Sequence, residues 1–250
     1  MAEISKKLIS MLGDWECLYP FFKSEEWTKI KEQLRPDMDT VTPEVDNWFK
    51  AFNLCSFRNI KVVWLGLSPY YSTDSYTGKL VADGLAFSTD PKHSVPPSLF
   101  KIYKGMEWDM WKGMNLEMNR HNDLTFLAYQ GVLLLNSALT TNMGQSESHL
   151  EIWRPFILEV IKQINDKKEG IVFTGFGKVA NELLTHVNKE KHIVFEREHP
   201  AASAYASRDW DHKSIFSLTN KELEKREKTK IFWDRYLGVE VKEPIKEEVE

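Results

Sequence analysis

The chain has 250 residues, 42% of them hydrophobic, with a formal net charge of −4, enough for one α/β domain with a well-buried core. No apolar run approaches the roughly 18 residues of a membrane span, and the N-terminal MAEISKKLIS lacks the apolar core of a secretory signal, so a soluble intracellular protein, cytoplasmic or nuclear, is expected. Cys17 and Cys55 are too few and too far apart for a disulfide scaffold or a zinc site, and the acidic balance does not advertise a nucleic-acid partner, although acidic residues can lie away from a contact face.

In chain order, residues 1–50 set Trp15, Trp27 and Trp48 in amphipathic stretches and read as helices that pack on a sheet. Four short β-rich apolar runs follow, at Lys61–Leu67, Gly131–Asn136, Gly170–Thr174 and His192–Glu196. Each has the length of a buried strand, and helical segments such as Ile152–Asn165 and Lys178–Val187 separate them. The alternation predicts an α/β fold with a central, mainly parallel four-stranded sheet flanked by helices. Pro91, Pro96 and Pro97 mark an irregular crossover after the first strand. The domain is expected to fill residues 1–238, with a frayed acidic tail at 239–250.

Ligands of open parallel sheets bind beyond the carboxyl ends of the strands, which singles out Ser68–Tyr71, Asn136, Gly175–Lys178 and His199. The amide of Asn136 offers a donor and an acceptor side by side.

These stretches carry a resemblance. Leu65–Ser88, reading LGLSPYYSTDSYTGKLVADGLAFS, is similar to the active-site loop of the main uracil-DNA glycosylase family, Gly-Gln-Asp-Pro-Tyr-His followed by Gly-Leu-Cys-Phe-Ser, with six extra residues between the two halves. VPPSLFKIYK at Val95–Lys104 resembles the family's phosphate loop, and YQGVLLLNSALTT at Tyr129–Thr141, followed by ESHLEIWRPF, resembles its Gln-Gly-Val-Leu-Leu-Leu-Asn strand and the Ser-His segment beyond it. FTGFGKVA, HIVFEREHPAASAY and IFSLTNKEL are similar to three further family segments in the same order. Any one match is weak; the ordered set is specific.

The resemblance implies a DNA glycosylase that flips a pyrimidine out of the stack and hydrolyses its bond to the sugar, as a monomer on single- or double-stranded DNA, without metal or organic cofactor. It further implies Asn136 as the reader of the base, Phe87 as its stacking platform, and Tyr70 as the side chain that closes over C5, with Leu67 in the base-binding loop. His199 is implied as the donor to the pyrimidine oxygen, and Ser98, Lys178, Ser203 and Tyr205 as DNA contacts. Four departures surround the same pocket: Ser68 stands where the family has the catalytic aspartate, Leu67 replaces glutamine, Tyr71 replaces histidine, and the intercalating leucine is missing after His199. Asp74 in the insertion, or Asp83 before Gly84, is placed in sequence to supply the missing carboxylate, and Tyr205 or Trp210 to supply the wedge.

Three readings follow. One is a glycosylase acting on uracil or on a modified pyrimidine such as those of phage DNA. The second is a catalytically impaired homologue that binds DNA for a structural or regulatory purpose, favoured by loss of the carboxylate. The third, a nucleotide-binding α/β protein unrelated to DNA, lacks the Gly-rich phosphate fingerprint such folds carry.

Overall fold

Buried apolar runs build the sheet. In the computed structural model, which describes residues 4–111, 120–206 and 208–234, the strands are β1 (Val41–Thr42), β2 (Val62–Gly66), β3 (Val132–Asn136), β4 (Thr141–Asn142), β5 (Val172–Phe176) and β6 (Ile193–Arg197). The tail anticipated at 239–250 lies outside the described residues. β3, β2, β5 and β6 pair in that order, all parallel. Every residue of β2, β3 and β5 is buried, because helices cover both faces of a parallel sheet and leave no polar side to alternate with. The edge strand β6 is only partly buried.

The four apolar runs thus fall on the four sheet strands, with boundaries shifted by one or two residues. β5 continues past Thr174 through Gly175 and Phe176, a step that a glycine disguises. A Cβ on Gly175 would stand 2.4 Å from Asn181 Oδ1 and 2.9 Å from Leu184 Cδ1, so glycine here lets the helix Lys178–Leu183 approach the strand closely.

Helix Pro97–Trp111 starts on a proline, which the first turn accepts because its N–H has no intrahelical partner anyway. The N-terminal segment, with helices Tyr19–Phe22 and Lys50–Leu54, gathers aromatic rings against helix Leu150–Lys167. Phe22, Phe49 and Phe52 surround Phe156 at centroid distances of 5.5, 5.8 and 5.6 Å, and Trp48 meets Trp153 edge-on at 5.8 Å.

The ribbon β1–β4 has no counterpart in the expected elements, since two-residue strands leave no periodicity to read. It nevertheless positions the loops that matter. Met143 N donates to Thr40 O at 2.8 Å and Gly144 N to Tyr71 O at 2.8 Å, while Thr42 Oγ1 donates to Tyr70 O at 3.4 Å. The loop after β2 is therefore strapped to the loop after β4.

Candidate active site

From β2 the chain passes to β3 on one side and then crosses to β5 on the other, so the carboxyl end of β2 is the point where the winding reverses. A cavity of about 700 Å³ opens there, with Ser68, Tyr70, Phe87, Asn136, Glu147 and His199 among its walls.

Asn136 is the last residue of β3 and lies opposite Gly66 in register. A Cβ at residue 66 would stand 2.6 Å from Asn136 Oδ1, so only glycine leaves room for the amide to cross the end of β2. Asn136 is 8% exposed, and its amide has no hydrogen-bond partner among the described residues. A buried amide left open toward a cavity is a recognition group awaiting a complement, because burying it unpaired for good would be costly.

Phe87 forms the neighbouring wall with a left-handed backbone, φ 67°, a conformation that a bulky residue adopts only where its surroundings impose it. Its ring packs edge-on against Phe176 at 5.0 Å and tilts against the His199 imidazole at 5.8 Å. His199, just beyond β6, accepts the backbone N–H of Ala201 on Nδ1 at 3.2 Å. The ring proton of the neutral form therefore sits on Nε2. Burial pushes His199 down to about 4, which keeps it neutral near pH 7 with one N–H free to donate.

Tyr70 is partly buried. Its hydroxyl donates to Phe87 O at 3.2 Å and lies 3.0 Å from Ser98 Oγ, and desolvation pushes the phenol well above its usual range. The ring is thus held inward beside Phe87, and the insertion has not carried it away. Leu67 completes this wall, with its carbonyl accepting Ala138 N at 3.3 Å. Ser68 Oγ faces Ser146 Oγ at 3.5 Å.

The insertion is a braced turn. Thr73 bridges Leu80, and Asp74 accepts the N–H groups of Tyr76 and Thr77 on one carboxylate oxygen and that of Ser94 on the other. Bonds from Thr77 and Ser94 chiefly hold its carboxyl down at about 2. Asp74 lines the cavity as well, and these bonds make it at the same time the brace of its loop. Asp83 is likewise engaged, with Lys50 Nζ at 3.0 Å, Ser88 Oγ at 2.8 Å and Leu85 N at 3.0 Å.

The expected DNA contacts divide. Lys178 is exposed at the head of its helix, next to His199 around a smaller cavity. Ser203 is fully buried and donates to Pro200 O at 2.7 Å, so its hydroxyl is turned away from any phosphate outside. Ser98 is 5% exposed and turned toward Tyr70; it supports the pocket wall rather than presenting a hydroxyl to the surface. Trp210 is 4% exposed, with its indole N–H on Glu198 O and its ring against Phe176, and is corrected from wedge to core. The side chain of Tyr205 lies outside the described residues. Sequence reasoning missed Ser146 and Glu147, although both fall beside the Ser-His segment it had singled out.

Among the described residues no cluster of His, Cys, Asp and Glu is grouped to hold a metal ion, and no helix is long and apolar enough to cross a membrane.

Burial also pushes His192 down to about 4. Histidines with folded values below the unfolded 6.5 withdraw stability as protons bind the unfolded chain, so stability is full above pH 6.5 and is lost as pH falls toward 4. The melting temperature is expected to fall steadily between pH 6.5 and 4, measured by calorimetry at constant ionic strength, and less steeply in a His192→Gln variant.

The family model described as Uracil DNA glycosylase superfamily matches residues 52–224. A uracil-DNA glycosylase of Brevibacillus brevis is 34% identical over 232 residues, covering 91% of this chain and 96% of that protein. One from Aliarcobacter butzleri is 37% identical over 209 residues, covering 82% and 92% respectively. In three dimensions the chain is similar to the mimivirus uracil-DNA glycosylase, with a TM-score of 0.79 at 24% identity over 92% of this chain and 90% of that one.

Proposed function

The chain belongs to the uracil-DNA glycosylase superfamily, and from that premise we propose that it removes uracil from DNA by hydrolysing the bond between base and deoxyribose, leaving an abasic site. The observation that carries this reading is the open amide of Asn136, buried at a cavity that Phe87 and His199 also line.

A uracil drawn out of the stack, at a cost of a few kcal/mol, lies on the Phe87 ring. Asn136 Oδ1 accepts N3–H and Nδ2 donates to O4, a pairing that cytosine cannot satisfy because its donor and acceptor are exchanged. As the glycosidic bond lengthens, negative charge collects on the base, and the neutral His199 donates Nε2–H to O2. A donor aimed where charge develops acts most strongly in such a water-poor site. The arrangement of motifs is that of the main branch of the superfamily, with Lys178 placed to meet a flanking phosphate.

Tyr70 sets the choice between uracil and thymine. Its ring is fixed by two hydrogen-bonding partners of its hydroxyl, so a methyl group on C5 has no space to move into. Tyr70→Ala is expected to admit thymine, with discrimination falling by about 10- to 200-fold, the range set by one methyl group once rigid closure is gone. Abasic-site formation on duplexes carrying uracil, thymine or a C5-modified pyrimidine measures this. A wild type that prefers the C5-modified base would show that Tyr70 swings out. One that binds a uracil duplex and cleaves none of the three would favour a DNA-binding role, the reading to which the serine at position 68 points.

A further inference from the structure

Ser68 carries no charge, and Asp74, which lines the same cavity, already accepts three backbone N–H groups, from Tyr76, Thr77 and Ser94. Resting on the reading above, we propose that Glu147 is the catalytic base that takes a proton from the attacking water, replacing from the opposite loop the carboxylate absent at position 68.

Four observations place it there. Glu147 lines the same cavity as Ser68, Asn136 and His199. Its neighbour Ser146 meets Ser68 at 3.5 Å between hydroxyl oxygens, so the turn that carries Glu147 sits directly against the vacant family position. Glu147 holds a left-handed backbone, φ 68°, a strained state for a residue with a long side chain that persists only where neighbours impose it. They do so on both sides: Thr141 Oγ1 donates to Gln145 O at 2.5 Å, Ser148 Oγ accepts Asn142 N at 2.8 Å, and Leu150 N closes on Glu147 O at 3.2 Å. Finally, the Glu147 carboxylate has no hydrogen bond or ion pair among the described residues. A hydrogen-bonded turn thus holds an exposed, uncommitted glutamate at the rim of the cavity.

The step balances. The bond between C1′ and N1 breaks with its electron pair going to the base, where the charge on O2 meets His199 Nε2–H. Water oxygen forms the new bond to C1′, its proton passes to Glu147 and then to solvent, and the departing uracil anion takes a proton from solvent.

The test is single-turnover release of uracil from a duplex, with duplex binding measured in parallel. Glu147→Gln should slow release by ~10²–10⁴, the usual weight of a general base, while binding changes by no more than a few-fold. Adding Ser68→Asp should raise the rate of that variant by at least about tenfold and that of the wild type by clearly less, whereas equal gains in both backgrounds would overturn the assignment. Should Glu147→Gln fail to fold, Glu147→Ala offers a second route: its rate should climb with added formate, and no response would overturn the assignment. If the wild type releases uracil and Glu147→Gln keeps its rate, the assignment of Glu147 falls and the glycosylase reading stands. If the wild type releases no base from any duplex, both fall.

Discussion

His199→Ala lowers uracil release by ~10²–10³ at neutral pH with little change in duplex binding, the loss expected when one preorganised donor to a developing anion is removed. The expectation rests on the state of the ring. Nδ1 is taken up by Ala201 N–H, and burial keeps the imidazole neutral down to about pH 4, so Nε2 must be the donor across the working range. His199→Asn, which keeps one N–H donor, should fall between the wild type and alanine. Loss of duplex affinity equal to the loss of rate would instead assign His199 to ground-state binding.

Asn136→Ala is expected to reduce uracil release by about 100-fold, since two neutral hydrogen bonds, each worth ~1 kcal/mol net, disappear and the edge of the flipped base is left unpaired in a dry site. Gly66→Ala tests the same amide without touching the base. Its Cβ would lie 2.6 Å from Asn136 Oδ1, so the amide must turn aside while the strand, buried and paired on both sides, stays in place. A folded Gly66→Ala protein with undiminished uracil release would show that the position of Asn136 is not what reads the base. Rates on uracil and cytosine duplexes, with melting curves as the folding control, measure both variants.

The sheet was legible because strands buried on both faces write continuous apolar runs into the sequence, as Val62–Leu65 and Val132–Leu135 do. Asn136 and His199 stood out as residues at or just beyond strand ends, and Phe87, far along the loop after β2, only through the GLAFS motif around it. Other features were not. The end of β5 was hidden by Gly175, a breaker by composition that here permits close helix packing. Trp210 looked like a wedge because a large aromatic side chain suits intercalation and core packing equally, and only burial separates the two. Asp74 and Glu147 were hard to tell apart for a related reason. Among 37 acidic residues nothing local distinguishes a carboxylate that caps its own loop from one left open. The distinction comes from long-range contacts, Ser94 N on Asp74 and Ser146 against Ser68, that span 20 and 78 residues of chain.

The most direct test of the account is one turnover of wild-type protein, in excess, on a duplex with a single labelled uracil, following free uracil by chromatography and the abasic site by alkaline cleavage. Free uracil and abasic strand appearing together in equal amounts, with the corresponding thymine duplex untouched, is the result predicted by the Asn136, Phe87 and His199 pocket closed by Tyr70. A uracil duplex that is bound and recovered intact would contradict it.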